Sequence, residues 1–301
     1  MKVPNLLTVF ALTSTFLPTA LPYEQRFSIQ QYHYIRVPPN ISSSDFATNI
    51  HIYNERRNKF PGTTILIENQ RAAILIDPPW TSRGSLIINN ILNKARMLPN
   101  IVIYSYGQAE PNKIQSTVRR FPSSVEKLEL FTPGESGAGA RDLRPFIPSS
   151  RVVIVGDEII VGDLRVRMHH RTSNSVAAYL CIPENKIIFG GVGVYWGVHL
   201  RVDVAPTPHQ RFDWQRVLKE IINARPNVLI PGNYIGHYPL DAKAAEFTLE
   251  YLQTFEKALS RYNYADAGGV IREMETAYPN LRHKENLYTS AERLTGNRYG
   301  R

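Results

Sequence analysis

Ile101-Val102-Ile103-Tyr104-Ser105-Tyr106-Gly107-Gln108-Ala109-Glu110 is the stretch on which the reading of this chain turns. Its first four residues form an apolar, β-branched run of the length expected for a buried strand. The run passes into a loop, and Pro111 then stands near the start of a helical pattern over residues 111–121, where its missing N–H is harmless. Strand, loop and helix in that order make up one unit of an α/β layer.

The flanks repeat the theme. Thr63–Glu68 and residues 72–77 are two short apolar runs split by Asn69-Gln70-Arg71, a hairpin signal. Residues 84–96 place Leu86, Ile87, Ile91 and Leu92 at the spacing of an amphipathic helix. Further strands are expected at 127–131, 152–155, 158–161 and 164–169, with a Gly-rich loop over 133–139. A second hairpin spans 175–182 and 186–189 across Pro183-Glu184-Asn185. A helix over 212–224 carries Trp214, Val217, Leu218 and Ile221, and a short strand at 227–230 ends in Pro231-Gly232. A long helix over 241–261 aligns Phe247, Tyr251, Phe255 and Leu259. A shorter helix is expected at 270–278, followed by a polar tail. Residues 21–45 read as an extended arm or edge strand. This pattern suits two sheets flanked by helices. It does not suit a doubly wound sheet, because no glycine fingerprint follows a first strand.

The 301 residues, 43% of them hydrophobic, are enough for a full core, and sixteen Tyr, twelve Phe and three Trp argue against disorder. The net charge of +9 is spread along the chain. That favours anionic ligands, polymers or surfaces, but neither a basic stripe nor a known motif points to nucleic acid, and no nucleic-acid partner is expected. Residues 1–20 read as a secretory signal: Lys2, an apolar run from Leu6 to Leu17 too short to span a membrane, then Pro18-Thr19-Ala20. A secreted protein without a transmembrane segment is the expectation. Asn40-Ile41-Ser42 is a glycosylation sequon for a eukaryotic secretory route. The single Cys181 excludes an internal disulfide and, in its apolar run, reads as a packing residue.

Five pieces in series resemble the metallo-β-lactamase superfamily. They are residues 63–77 with Asp77 at the end of a strand, 100–110, 168–188, Phe189-Gly190-Gly191-Val192, and 228–233. The resemblance implies an α/β fold, a four-layer αββα sandwich over residues 60–262. An N-terminal arm or edge strand (21–59) precedes it, and a C-terminal helical extension with a polar tail (263–301) follows. In that family the loop after the 101–104 strand carries the main zinc motif, HxHxDH. Here those ligand positions are Ser105, Gly107, Ala109 and Glu110. By the same resemblance His170, with His169 beside it, keeps the histidine of the next loop. Val192 replaces a bridging aspartate, and Asn233 replaces the last histidine.

A catalytic zinc takes about three protein ligands and leaves one position open for the water it activates. Most of that set is missing, so no cofactor is expected. The implied protein is a degenerate member: a pseudoenzyme, a small-molecule binder or a metal-independent enzyme. His170 would then act as acid or base, with Glu110 and Tyr106 beside it, and His169, Asn233, Tyr195 and His199 would contact substrate. A hydrolase of esters, thioesters, lactones or sulfate esters remains open, with one weakly held zinc or other divalent ion on Glu110 and His170, helped by His169 or Asp203. So does a basic, non-enzymatic binding surface. Each residue also has a plainer reading: His169 and His170 as a polar loop lip, Glu110 as a helix-start carboxylate, Tyr106 as volume filler, and the 195–203 segment as loop packing.

Overall fold

The computed structural model describes residues 31–37, 47–54, 62–77, 101–103, 129–132, 151–154, 158–170 and 175–296. Seven strands form the first sheet in chain order: β1 (Gln31–Val37), β2 (Thr48–Asn54), β3 (Thr63–Glu68), β4 (Ala73–Ile76), β5 (Ile101–Ile103), β6 (Glu129–Thr132) and β7 (Arg151–Ile154). The first three connections are antiparallel and the last three parallel. A second sheet is built from β8 (Glu158–Val161), β9 (Leu164–His170), β10 (Ala178–Ile182), β11 (Ile187–Phe189) and β13 (Val228–Ile230), in the order β13-β11-β10-β9-β8. Two short strands, β12 (Tyr195–Trp196) and β14 (Asn233–Tyr234), pair in parallel beside it.

Strand side chains alternate between faces, and that alternation assigns the layers. Ile50, Ile52, Ile65, Ile67, Ile74, Ile76 and Ile103 of the first sheet meet Val166, Met168, Leu180, Ile182, Ile187, Phe189, Val228 and Ile230 of the second in one core. The intervening residues of the second sheet, Tyr179, Cys181, Ile188 and Leu229, face the opposite way. They enter a second core with the helices α1 (Pro208–Ala224), α2 (Lys243–Arg261), α3 (Ala267–Ala277) and α4 (Lys284–Gly296). The outer face of the first sheet is buried as well: Leu66 and Leu75 are closed to solvent, and His51 there bonds Glu68 across the strands at 3.0 Å. The α/β sandwich is as expected, with sheet, sheet and helix layers in place. The helices anticipated at 84–96 and 111–121 fall outside the described residues.

Local chemistry explains the helix ends. Thr207 accepts a hydrogen bond from the Gln210 amide (3.2 Å) while the Gln210 side chain accepts one from the Thr207 amide (3.1 Å). This capping box, with Pro208 in the first turn, starts α1 four residues before the expected 212. Asp266 caps α3 through the Gly269 amide at 2.9 Å.

Two elements differ from expectation. The N-terminal arm contains a second strand: every residue of β2 is buried, including Asn49, His51 and Asn54, because both faces of the sheet are covered. The polar tail contains helix α4. Its apolar stripe is only Leu287, Ala291 and Leu294, completed by the buried polar residues Asn286 and Ser290. Among the described residues no helix is long and apolar enough to cross a membrane.

Cys181 is a packing residue, 8% exposed, with its Sγ 3.4 Å from His169 Nε2. Burial pushes its thiol up to about 11. Since the thiolate is the nucleophile, Cys181 should be alkylated by iodoacetamide at pH 8 on the order of 100-fold more slowly in the native chain than in urea. Mass spectrometry against time reads this; equal rates would place the thiol at the surface.

Candidate functional site

Strand direction decides where the candidate residues meet. Strand β10 is antiparallel to both β9 and β11, and β13 is parallel to β11, so β9, β11 and β13 all run the same way. Their C-terminal ends, at His170, Phe189 and Ile230, therefore lie at one edge of the second sheet. Hydrogen bonds tie this edge to the first sheet. Thr63 donates its amide to Gly232 O and its hydroxyl to Pro231 O, both at 2.9 Å, and Asn54 Nδ2 donates to Tyr234 O at 2.5 Å. The Thr64 hydroxyl reaches Asp77 O at 2.8 Å, and the Asp77 amide reaches Ile103 O at 2.8 Å. The C-terminal ends of β4, β5, β9, β11 and β13 thus gather at one end of the sandwich, the side on which open α/β sheets present their ligand-binding loops.

The loops there are packed backbone on backbone. Gly190 donates its amide to Ile230 O at 2.9 Å. Gly191 adopts a left-handed φ of 52°, and a Cβ on Gly232 would lie 1.8 Å from Gly191 O. Only a residue without a side chain allows the two loops so close. The approach sets Val192 and Asn233 beside each other's loops. Asn233, 9% exposed, is held by its amide to Val194 O at 3.2 Å. Val192 packs against the second core.

The candidate residues divide among three places. Asn233 and the backbone of His170 are at the converging strand ends; Tyr106 and Glu110 lie outside the described residues, in the segment that follows β5. His169 points to the outer face of the second sheet, its ring stacked on Tyr179 at 4.6 Å beside Cys181. Tyr195 and His199 lie in the second core behind β12, 5% and 0% exposed. Tyr195 donates its amide to Thr248 Oγ1 at 2.9 Å, and burial drives its phenol well above the usual range. His199 Nδ1 sits 2.9 Å from the Tyr251 hydroxyl. That setting supplies packing and hydrogen-bond partners rather than a ligand-facing surface. The resemblance places the 195–203 segment at the border of the pocket, but Tyr195 is held by Thr248 of α2 and His199 by Tyr251 of the same helix. The Trp196 indole donates to His237 O at 2.8 Å.

Asp203 is committed elsewhere. Arg201 grips it with two bonds of 2.7 Å, Ser290 donates to it at 3.1 Å and Arg293 at 3.0 Å. Burial alone would raise its carboxyl, but these partners more than offset that and hold it below the usual range. A carboxylate so saturated is a clamp between the 202–204 turn and α4 rather than a metal ligand. Asp203→Asn should lower stability by about 2 kcal/mol, since hydrogen bonds to charged groups carry about 1.5–3 kcal/mol and Arg293 is largely exposed. A urea midpoint unchanged from wild type would reject the clamp.

The described side chains at these strand ends do not suit zinc. Val192 has no ligating atom, the amide of Asn233 is a poor zinc ligand, and among the described residues no group of three or more His, Cys, Asp or Glu can hold a metal. Sequence reasoning missed Asn54 and Thr63. Their signal was faint: two polar residues flanking a strand-to-strand connection.

No family model and no curated protein matches this chain. Solved structures do. A metallo-β-lactamase from Pontibacter korlensis is 15% identical, with a TM-score of 0.47 over 74% of this chain and 99% of its own. One from Hirschia baltica is 13% identical, with a TM-score of 0.47 over 74% of this chain and 98% of its own. A flavo di-iron protein variant from Thermotoga maritima is 13% identical, with a TM-score of 0.48 over 76% of this chain and 63% of its own. In fold, the chain is similar to metallo-β-lactamases.

Proposed function

We propose that this is a metallo-β-lactamase-fold protein, exported through the secretory route, whose strand-end site binds a small molecule without zinc. The observation that carries the reading is the convergence of five strand ends at which Val192 and Asn233 stand, a hydrocarbon and an amide where the resemblance requires an aspartate and a histidine. The convergence offers a ligand-binding end; the residues offer hydrogen bonding and apolar contact instead of a Lewis acid. His170 is the residue of this set that can carry a proton near neutral pH, and where turnover occurs it is the acid or base. The apolar run near Lys2 supports export.

The test is a thermal-shift panel of small acids, esters and lactones, with EDTA or with zinc. Ligands that raise Tm equally in both conditions, and lose that effect in Asn233→Ala, bear the reading out. A shift that requires zinc, or one that Asn233→Ala leaves intact, overturns it.

A further inference from the structure

His199 occupies a joint where three elements meet. Its ring lies against α2, with Nδ1 2.9 Å from the Tyr251 hydroxyl. Its amide donates to Arg282 O at 2.8 Å, in the turn before α4, and its carbonyl accepts from Asn286 Nδ2 of α4 at 3.0 Å. The bridge between Val198 and Arg282 completes the contact. The residue is closed to solvent, and its Nε2 is buried without a hydrogen-bond partner. The neutral ring tolerates one unpaired nitrogen; a protonated ring would bury a charge with a donor unsatisfied.

The groups around it do not compensate. Lys284 and Glu285 of α4, Glu275 of α3 and Tyr251 of α2 act on it directly, with His283 bonded to Glu285 and Tyr278 packed on Tyr251. Glu275 is already engaged by Lys284 and by the Tyr288 hydroxyl, both at 2.9 Å, and Glu285 by His283 at 2.7 Å.

We propose that His199 is an acid-operated latch: protonating it releases helix α4 and the 197–204 segment from the body of the protein. Burial first, then the charge of Lys284, lowers the imidazole from 6.5 to about 4, against the smaller opposing pull of Glu275 and Glu285. A base with a depressed folded value binds its proton more readily once released. Docking is therefore complete above pH 6.5 and weakens as pH falls from 6.5 toward about 4. Asp203, whose carboxyl is held low by Arg201, Ser290 and Arg293, adds its loss in the window below 3.8. The two act in the same direction, at successive pH values.

Hydrogen exchange of the full chain, read by mass spectrometry at pH 7 and pH 4.5 and corrected for intrinsic rates, tests the latch. Peptides covering 197–204 and 284–296 should lose at least about tenfold in protection at pH 4.5 while α1 keeps its own. His199→Asn, which can still meet Tyr251 but does not titrate, should abolish that selective loss. An imidazole titration of wild type by NMR keeps the test decisive if the variant does not fold. Retained protection at pH 4.5, an equal loss in His199→Asn, or a His199 that titrates near 6.5 without loosening α4 would each overturn the proposal.

Discussion

Trp214→Ala lowers stability by about 4 kcal/mol, within the range of about 3–5 kcal/mol for removing a buried Trp or Phe. Trp214 is fully buried, at the centre of the second core with Val217, Leu218 and Tyr195 around it. Its Nε1 donates to Gly193 O at 2.7 Å, so the truncation also strands a carbonyl in the loop that carries Val192. The paired variant Trp214→Phe separates the two losses. It retains most of the volume and should cost about 1–2 kcal/mol for the unpaired carbonyl and the residual gap. Urea unfolding of both variants checks this. A Trp214→Ala cost below about 1.5 kcal/mol would mean that the helical layer is not closed on the second sheet through this side chain.

Gly232→Ala has an effect of similar size by the opposite mechanism. The added Cβ would meet Gly191 O at 1.8 Å and Gly191 C at 2.3 Å. Both are backbone atoms, so no side chain can swing aside. Overpacking costs about 1–3 kcal/mol where side chains yield; with backbone against backbone the expected loss is at least about 3 kcal/mol. Because the clash separates the two loops that set Val192 and Asn233, ligand binding should fall with stability. Alanine at Gly62, where nothing lies within 4 Å of the added Cβ, is the control and should be near neutral. A Gly232→Ala chain as stable as that control would contradict the loop-on-loop packing.

The parts of this fold that were legible in the sequence are those buried mainly through apolar side chains. The β3–β4 and β10–β11 hairpins and the stripe of α2 each show a clear apolar pattern, and each formed. The parts that were not legible bury polar residues with partners. Strand β2 hides Asn49, His51 and Asn54 between covered faces, and α4 closes its stripe with Asn286 and Ser290, which bond His199 O and the 202–203 turn. Periodicity counts such residues as exposed, although a hydrogen bond removes most of the cost of burying them. The site follows the same rule. Val192 and Asn233 were legible because a resemblance gave their strands an order. The placement of Tyr195 and His199 depends on Thr248 and Tyr251 of α2, about fifty residues further along the chain. Asn54 and Thr63, which hold the 231–234 segment, carry only a faint local signal, since their partners are about 170 to 180 residues away.

Metal content is the decisive measurement for the proposal that the strand ends hold no zinc. The full-length protein, purified without chelator, is dialysed against zinc, freed of excess ion, and measured by elemental mass spectrometry. Zinc, iron and manganese together should stay well below one equivalent before and after dialysis, with an unchanged Tm. A near-stoichiometric metal, lost to EDTA together with several degrees of Tm, would contradict it.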